Sequence, residues 1–122
     1  RALHEAEAYD GPSIIIAYAP CINHGIKAGM NKSMLEMKKA VRCGYWDLLR
    51  YNPALAAEGK NPLCIDSAAP TGSYKDFLMG EVRYNSLELK FPERAEKLFE
   101  EGAEIALDRY KDLKHRQDSF EE

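Results

Sequence analysis

The chain has 122 residues, a net charge of −3, 45% hydrophobic and 30% charged residues of mixed sign. That balance fits one domain of ordinary size or part of a larger one, and it gives no electrostatic reason to expect nucleic acid or an anionic membrane as partner. No apolar run approaches the roughly 20 residues of a membrane span and no signal peptide opens the chain, so a cytoplasmic location is the expectation; three widely spaced cysteines, Cys21, Cys43 and Cys64, argue against a disulfide framework and for a reducing compartment.

The chain opens on Arg1, and residues 1–9 read as a helix with Ala2, Leu3, Ala6 and Tyr9 on one face. No capping residue precedes it, an expectation of a fragment of a longer polypeptide, and Asp10-Gly11 ends it. After the turn signal Asp10-Gly11-Pro12 comes Ser13-Ile14-Ile15-Ile16-Ala17-Tyr18-Ala19. This run is rich in β-branched and aromatic residues and predicts a strand buried on both faces, of the kind found in parallel sheets. Pro20-Cys21-Ile22-Asn23-His24-Gly25 follows. Sites in open α/β sheets lie outside the carboxyl ends of strands, and Cys21 stands there.

Residues 25–29 read as a loop. Met30, Met34, Met37 and Val41 then recur at helical spacing and predict a helix whose methionine stripe packs in the core, with Lys32, Glu36, Lys38, Lys39 and Arg42 mostly off that stripe. Asn31 or Ser33 caps its start, and Gly44 stops it. Residues 45–51 and 63–66 predict two short strands pairing as a hairpin, delimited by Asn52-Pro53 and Asn61-Pro62, with a loop or short turn at 55–60. After the turn Pro70-Thr71-Gly72, a short helix over 73–79 is capped by Thr71 or Ser73, and another covers 82–89. Pro92 opens a long helix whose apolar face is Ala95, Leu98, Phe99, Gly102, Ile105, Ala106 and Leu113, supported by the pairs Glu93–Lys97 and Asp112–Arg116. Residues 117–122 read as a frayed tail.

Cys21 taken alone has three readings: a small apolar filler, a thiolate nucleophile with His24 as base, or a metal ligand whose partners lie elsewhere. Cys43 and Cys64 read as structural, and His4 and His115 as solvated. No Gly-rich phosphate loop follows a strand, and no paired-carboxylate site is evident.

Several stretches together resemble pyruvate:ferredoxin (flavodoxin) oxidoreductases. They are Glu5-Ala6-Glu7-Ala8-Tyr9-Asp10-Gly11-Pro12-Ser13, then Ile14 to Gly25 with its Ala-Tyr-x-Pro-Cys-Ile-Asn-His-Gly core, Lys39-Ala40-Val41-Arg42-Cys43-Gly44-Tyr45-Trp46, Leu49-Arg50-Tyr51-Asn52-Pro53 and Gly59-Lys60-Asn61-Pro62-Leu63. The resemblance runs from about Leu3 to about Tyr110. It implies the C-terminal part of the thiamine-diphosphate domain of such an enzyme, which cleaves pyruvate oxidatively with coenzyme A to acetyl-CoA and carbon dioxide and reduces ferredoxin or flavodoxin. It implies an α/β fold of one buried parallel strand, a covering helix, a small hairpin and a long C-terminal helix: residues 1–70 end the thiamine-diphosphate domain and carry the cluster-ligand loop, and 71–122 form a helical tail.

In that family a [4Fe-4S] cluster near the thiamine takes three cysteines from upstream and one from after a strand; Cys21 matches the fourth. The Gly-Asp-Gly…Asn motif that holds magnesium and the diphosphate is not in this sequence, so the resemblance places no catalytic or diphosphate-binding residue in this stretch. The expected parent is a homodimer, and the chain alone is expected to be inactive. A second reading is an independent non-catalytic α/β module with Cys21 as filler.

Overall fold

The computed structural model describes residues 1–120. Helix α1 spans Ala2–Ala8, and a 3-10 turn at Met30–Lys32 leads into α2, Ser33–Arg42. Strand β1, Leu49–Tyr51, and strand β2, Leu63–Ile65, flank the short helix α3, Ala54–Ala57. Three helices follow: α4, Tyr74–Gly80; α5, Val82–Lys90; and α6, Pro92–Asp118. The architecture is α/β in the broad sense, mostly helical with a single two-stranded sheet among the described residues.

Local chemistry accounts for most of these boundaries. The Ser73 hydroxyl accepts the Asp76 amide at 3.1 Å, so of the two candidate caps Ser73 is the one used. Gly44 takes φ +77 just past α2, and its amide donates to the Val41 carbonyl. Pro92 occupies the first turn of α6, where its missing N–H costs nothing. The hairpin pairs Leu49 with Ile65, Arg50 with Cys64 and Tyr51 with Leu63. Both ends of its loop close with side-chain turns: Asn52 Oδ1 accepts the Ala54 amide at 3.0 Å, and Asn61 Oδ1 accepts the Leu63 amide at 3.0 Å.

The core is drawn from three helices: Ala40 and Cys43 at the end of α2, Phe77 and Leu78 on α4, Ala95 and Phe99 on α6. Tyr18, Tyr45, Trp46, Tyr74 and Tyr84 pack around it. The Tyr45 ring lies 4.6 Å from Phe77, and its hydroxyl is 2.8 Å from that of Tyr84. On α6 the covered residues Ala95, Phe99 and Ala106, with Gly102 beside the Tyr74 ring, follow one helical stripe. Arg109, on the next turn, donates to the Gly44 and Tyr45 carbonyls at 2.7 and 3.0 Å and to Asp47 at 2.9 Å, so α6 holds the turn that follows α2.

Five sequence expectations need correction. Residues 13–19 are extended but form no strand, because among the described residues no second strand lies beside them; Ile14, Ile15 and Ile16 are 88%, 48% and 77% exposed. The methionine stripe is not the buried face of α2. Met34 is 65% exposed, and the covered positions are Glu36, Ala40 and Cys43, one turn-spaced row facing α4. Leu98 and Ile105 on α6 are 44% and 67% exposed, on a side of the helix left open among the described residues. Glu93 does not pair with Lys97, which sits 3.8 Å from Glu101 instead, whereas Asp112–Arg116 forms at 2.9 Å. Of the expected frayed tail, Gln117 and Asp118 continue α6, and Glu121 and Glu122 lie outside the described residues.

Candidate functional site

Cys21 lies on an exposed turn between two anchors. On the N-terminal side, Tyr18 stacks on Trp46 with ring centroids 5.7 Å apart and leans on Tyr45 at the same distance. The extended arm is therefore pinned to the core three residues before the cysteine. On the C-terminal side, the Cys21 carbonyl accepts the amides of His24 at 3.1 Å and Gly25 at 2.9 Å, closing a tight turn. Gly25 has φ +78, a conformation that favours glycine, and a Cβ there would sit 3.0 Å from Val82 Cγ2.

From Gly25 onward the chain is tied to the corner between α4 and α5. The Val82 amide donates to the Gly25 carbonyl at 3.1 Å, and the Lys27 amide to the Gly80 carbonyl at 2.8 Å. Ile26 and Glu81 thereby face each other as one antiparallel bridge. Arg83 Nε donates to the Asn23 carbonyl at 3.3 Å.

The Cys21 thiol is free and exposed. The backbone N–H groups of His24 and Asn23 hold its pKa below the usual thiol value, with the Arg83 guanidinium adding to the effect. His24 does not serve as its base in this arrangement. The imidazole turns inward, its edge on the Tyr84 ring and Nε2 3.0 Å from Glu81 Oε2, and burial pushes its pKa down.

Glu81 is 2% exposed. Burial raises its carboxyl pKa, and the nearby Glu36 carboxylate raises it further. Glu36 is buried as deeply, and Lys39 Nζ donates to its Oε2 at 3.0 Å. Three buried atoms here, His24 Nε2, Glu36 Oε1 and Glu81 Oε1, have no hydrogen-bond partner among the described residues. His24 Nε2 still stands 3.0 Å from Glu81 Oε2, close enough for an ion pair when the ring is protonated.

This buried pair of carboxylates was not legible in the sequence. Glu36 reads as solvated among Lys38, Lys39 and Arg42, and Glu81 carries no pattern at all. The signal that exposes them is steric: Gly80 has no side chain, and a Cβ there would stand 2.6 Å from Glu36 Oε1.

The other cysteines are placed differently. Cys43 is buried in the core, its thiol donating to the Ala40 carbonyl at 3.5 Å, and burial raises its pKa. Cys64 faces Arg50, whose Nη2 lies 3.0 Å from the sulfur while the same guanidinium binds Asp66 and Glu5. Among the described residues no three His, Cys, Asp or Glu side chains converge as a metal-binding group, so Cys21 has no co-ligands there. No described helix is long and apolar enough to cross a membrane. His4 and His115 are exposed.

No family model matches the chain. Among curated proteins it is similar to a pyruvate:ferredoxin oxidoreductase of Moorella thermoacetica, 61% identical over 116 residues, which is 93% of this chain and 10% of that protein. A pyruvate-flavodoxin oxidoreductase of Klebsiella pneumoniae is 54% identical over 110 residues, 90% of this chain and 9% of that protein. A mitochondrial pyruvate dehydrogenase [NADP(+)] of Euglena gracilis is 46% identical over 98 residues, 80% of this chain and 5% of that protein. The chain spans about a tenth or less of the length of the relatives it matches.

Proposed function

The chain belongs to the pyruvate:ferredoxin/flavodoxin oxidoreductases, matching one segment of them over nine-tenths of its length, and on that premise we propose that it is the part of a pyruvate-oxidising enzyme that supplies one cysteine ligand, Cys21, to an iron–sulfur cluster. The enzyme as a whole would decarboxylate pyruvate with coenzyme A to acetyl-CoA, using thiamine diphosphate, and pass electrons to ferredoxin or flavodoxin. The single observation that carries the ligand role is the contrast among the three thiols. Cys43 is packed in the core and Cys64 is held by Arg50, while Cys21 is exposed, free and biased toward thiolate by the amides of its own turn. A thiolate is the form that ligates iron, so these residues fit one corner of a cluster.

The cluster, when bound, supplies one-electron transfer. The chain's own contribution is to present a sulfur biased toward thiolate, to fix its direction through Tyr18 and the α4–α5 corner, and to leave it open to ligands from elsewhere. No role for thiamine diphosphate or its magnesium is assigned to this chain: among the described residues no three His, Cys, Asp or Glu side chains converge as a metal-binding group.

The relatives' names point to ferredoxin, flavodoxin and NADP(+) as acceptors, yet all share this segment. That supports a role in the common pyruvate-oxidising half rather than in acceptor choice. The exposed isoleucines of residues 13–19 support a second part of the reading: in the full-length enzyme this arm is a strand of a larger sheet.

The test is Cys21→Ser in the full-length oxidoreductase. Iron content should fall by one cluster and acceptor reduction should drop sharply, with pyruvate binding retained. Cys43→Ser and Cys64→Ser should keep full iron. Full iron and unchanged acceptor reduction in Cys21→Ser would remove the ligand assignment.

A further inference from the structure

The loop that carries Cys21 holds its shape by leaning on one small corner. Four contacts join residues 23–27 to residues 80–84: Gly25 O to Val82 N, Lys27 N to Gly80 O, Asn23 O to Arg83 Nε, and the His24 ring wedged between Glu81 and Tyr84. The two backbone contacts do not depend on side-chain identity. The two side-chain contacts do, and they fall on either side of the cysteine turn: Arg83 holds the Asn23 carbonyl from the exposed side, Glu81 supports His24 from the buried side.

Glu81 is an expensive residue to place there. A carboxyl that is 2% exposed, with one oxygen unpartnered and a second buried carboxyl nearby, costs stability that an apolar side chain would not. Such a cost is typical of a group retained for what it positions. The Cys21 turn is otherwise exposed, and its own two internal hydrogen bonds close it without fixing its direction relative to the core.

We propose that the α4–α5 corner is the positioning element of the Cys21 site, with Glu81 acting through His24 and Arg83 acting through the Asn23 carbonyl to aim the sulfur. This rests on the reading of Cys21 as a cluster ligand. Partners that orient a metal's ligands without touching the metal typically govern its retention, and these two residues stand in that relation to Cys21.

The experiment uses the full-length oxidoreductase with Cys21→Ser, Glu81→Ala, Glu81→Gln and Arg83→Ala. Its readouts are iron content, the rate of cluster loss to a ferrous chelator, the electron paramagnetic resonance spectrum of the reduced enzyme, thermal stability, and hydrogen exchange of residues 21–27 in enzyme stripped of its clusters. Glu81→Ala and Arg83→Ala should lose the cluster about 10- to 100-fold faster than wild type. Both should also change its spectrum and speed exchange in the turn. Glu81→Gln, which keeps the shape and a polar end against His24, should restore near wild-type retention.

Arg83 is exposed, so its variant decides the matter even where Glu81→Ala fails to fold. Wild-type retention, spectrum and exchange in Arg83→Ala and in any folded Glu81→Ala, with the cluster lost in Cys21→Ser, would overturn the positioning role and leave the ligand reading intact. Full iron in Cys21→Ser would overturn both.

Discussion

Phe77 and Ile16 are both large apolar side chains in a chain of ordinary composition, yet one is 1% and the other 77% exposed. Phe77 belongs to the body formed by α2, α4, α5 and α6, where every helix finds a neighbour and the aromatic rings close over Ala40 and Ala95. Ile16 belongs to the arm before Cys21, which makes no backbone ladder among the described residues and meets the body through Tyr18. The body encloses its own core. The arm carries the composition of a core strand, yet Ile14 and Ile16 are left open among the described residues. The proposed ligand sits at the seam, where the arm becomes the Cys21 turn and meets the α4–α5 corner.

That contrast can be broken or sharpened by substitution, beginning with the largest effect. Phe77→Ala should cost about 3–5 kcal/mol, read by denaturant unfolding of the chain, because it opens a cavity at the centre of the body. A cost below about 1 kcal/mol would mean the body is loosely packed and the contrast false. Gly80→Ala should cost about 1–3 kcal/mol, since the new methyl must displace the buried Glu36 carboxyl against which the corner is fitted. The same measurement reads it, and a neutral result would show that Glu36 leaves that position freely.

Glu81→Gln should show itself in pH dependence. Burial raises the Glu81 carboxyl above its ordinary 4.5, so the folded state holds that proton more tightly than the unfolded chain. The stability it contributes is present below pH 4.5 and is lost as pH climbs through the raised value. Glu36 strengthens this shift and Lys39 opposes it. The melting temperature of wild type minus that of Glu81→Gln should therefore fall as pH rises from 4.5. His24 acts in the other direction, because burial, with the Arg83 charge, lowers its pKa below 6.5 and protonation destabilises the fold. A difference that rose with pH would contradict the burial of Glu81.

The smallest effect belongs to the arm. Ile16→Ala should change the stability of the chain by less than about 0.5 kcal/mol, as at other exposed positions. In the full-length oxidoreductase, where the arm is proposed to join a sheet, the same substitution should cost about 2–5 kcal/mol. Equal and negligible costs in both settings would refute the strand and leave the arm as an exposed linker.

The particular elements differ in how far they could be read in advance. Ser73, Gly44, Pro92, Asn52 and Asn61 act on backbone groups within a few residues of themselves, so the ends of α4, α2 and α6 and the hairpin loop followed from local chemistry. The candidate ligand followed from the motif around Cys21. What could not be read was which side of each helix would be covered. On α2 the methionines and the Glu36–Ala40–Cys43 row are equally regular, and α4 covers the second because Gly80 makes room there for a carboxyl. Glu81 and Arg83 lie about 60 residues from the turn they hold, and no periodicity connects them to it.

The sequence by itself determined where α2 stops, where α4 and α6 start, the hairpin, the exceptional character of the Cys21 segment and the family to which it belongs, because these rest on short-range backbone chemistry and on a motif carried by neighbouring residues. Only the tertiary structure decided that two glutamates are buried, that His24 faces inward instead of toward Cys21, that Arg109 holds the turn after α2 from across the body, and that Ile14 and Ile16 stand exposed while Tyr18 is packed. Burial and pairing belong to whatever comes to lie against a surface, and for the body that partner is in this chain, while among the described residues the arm has none.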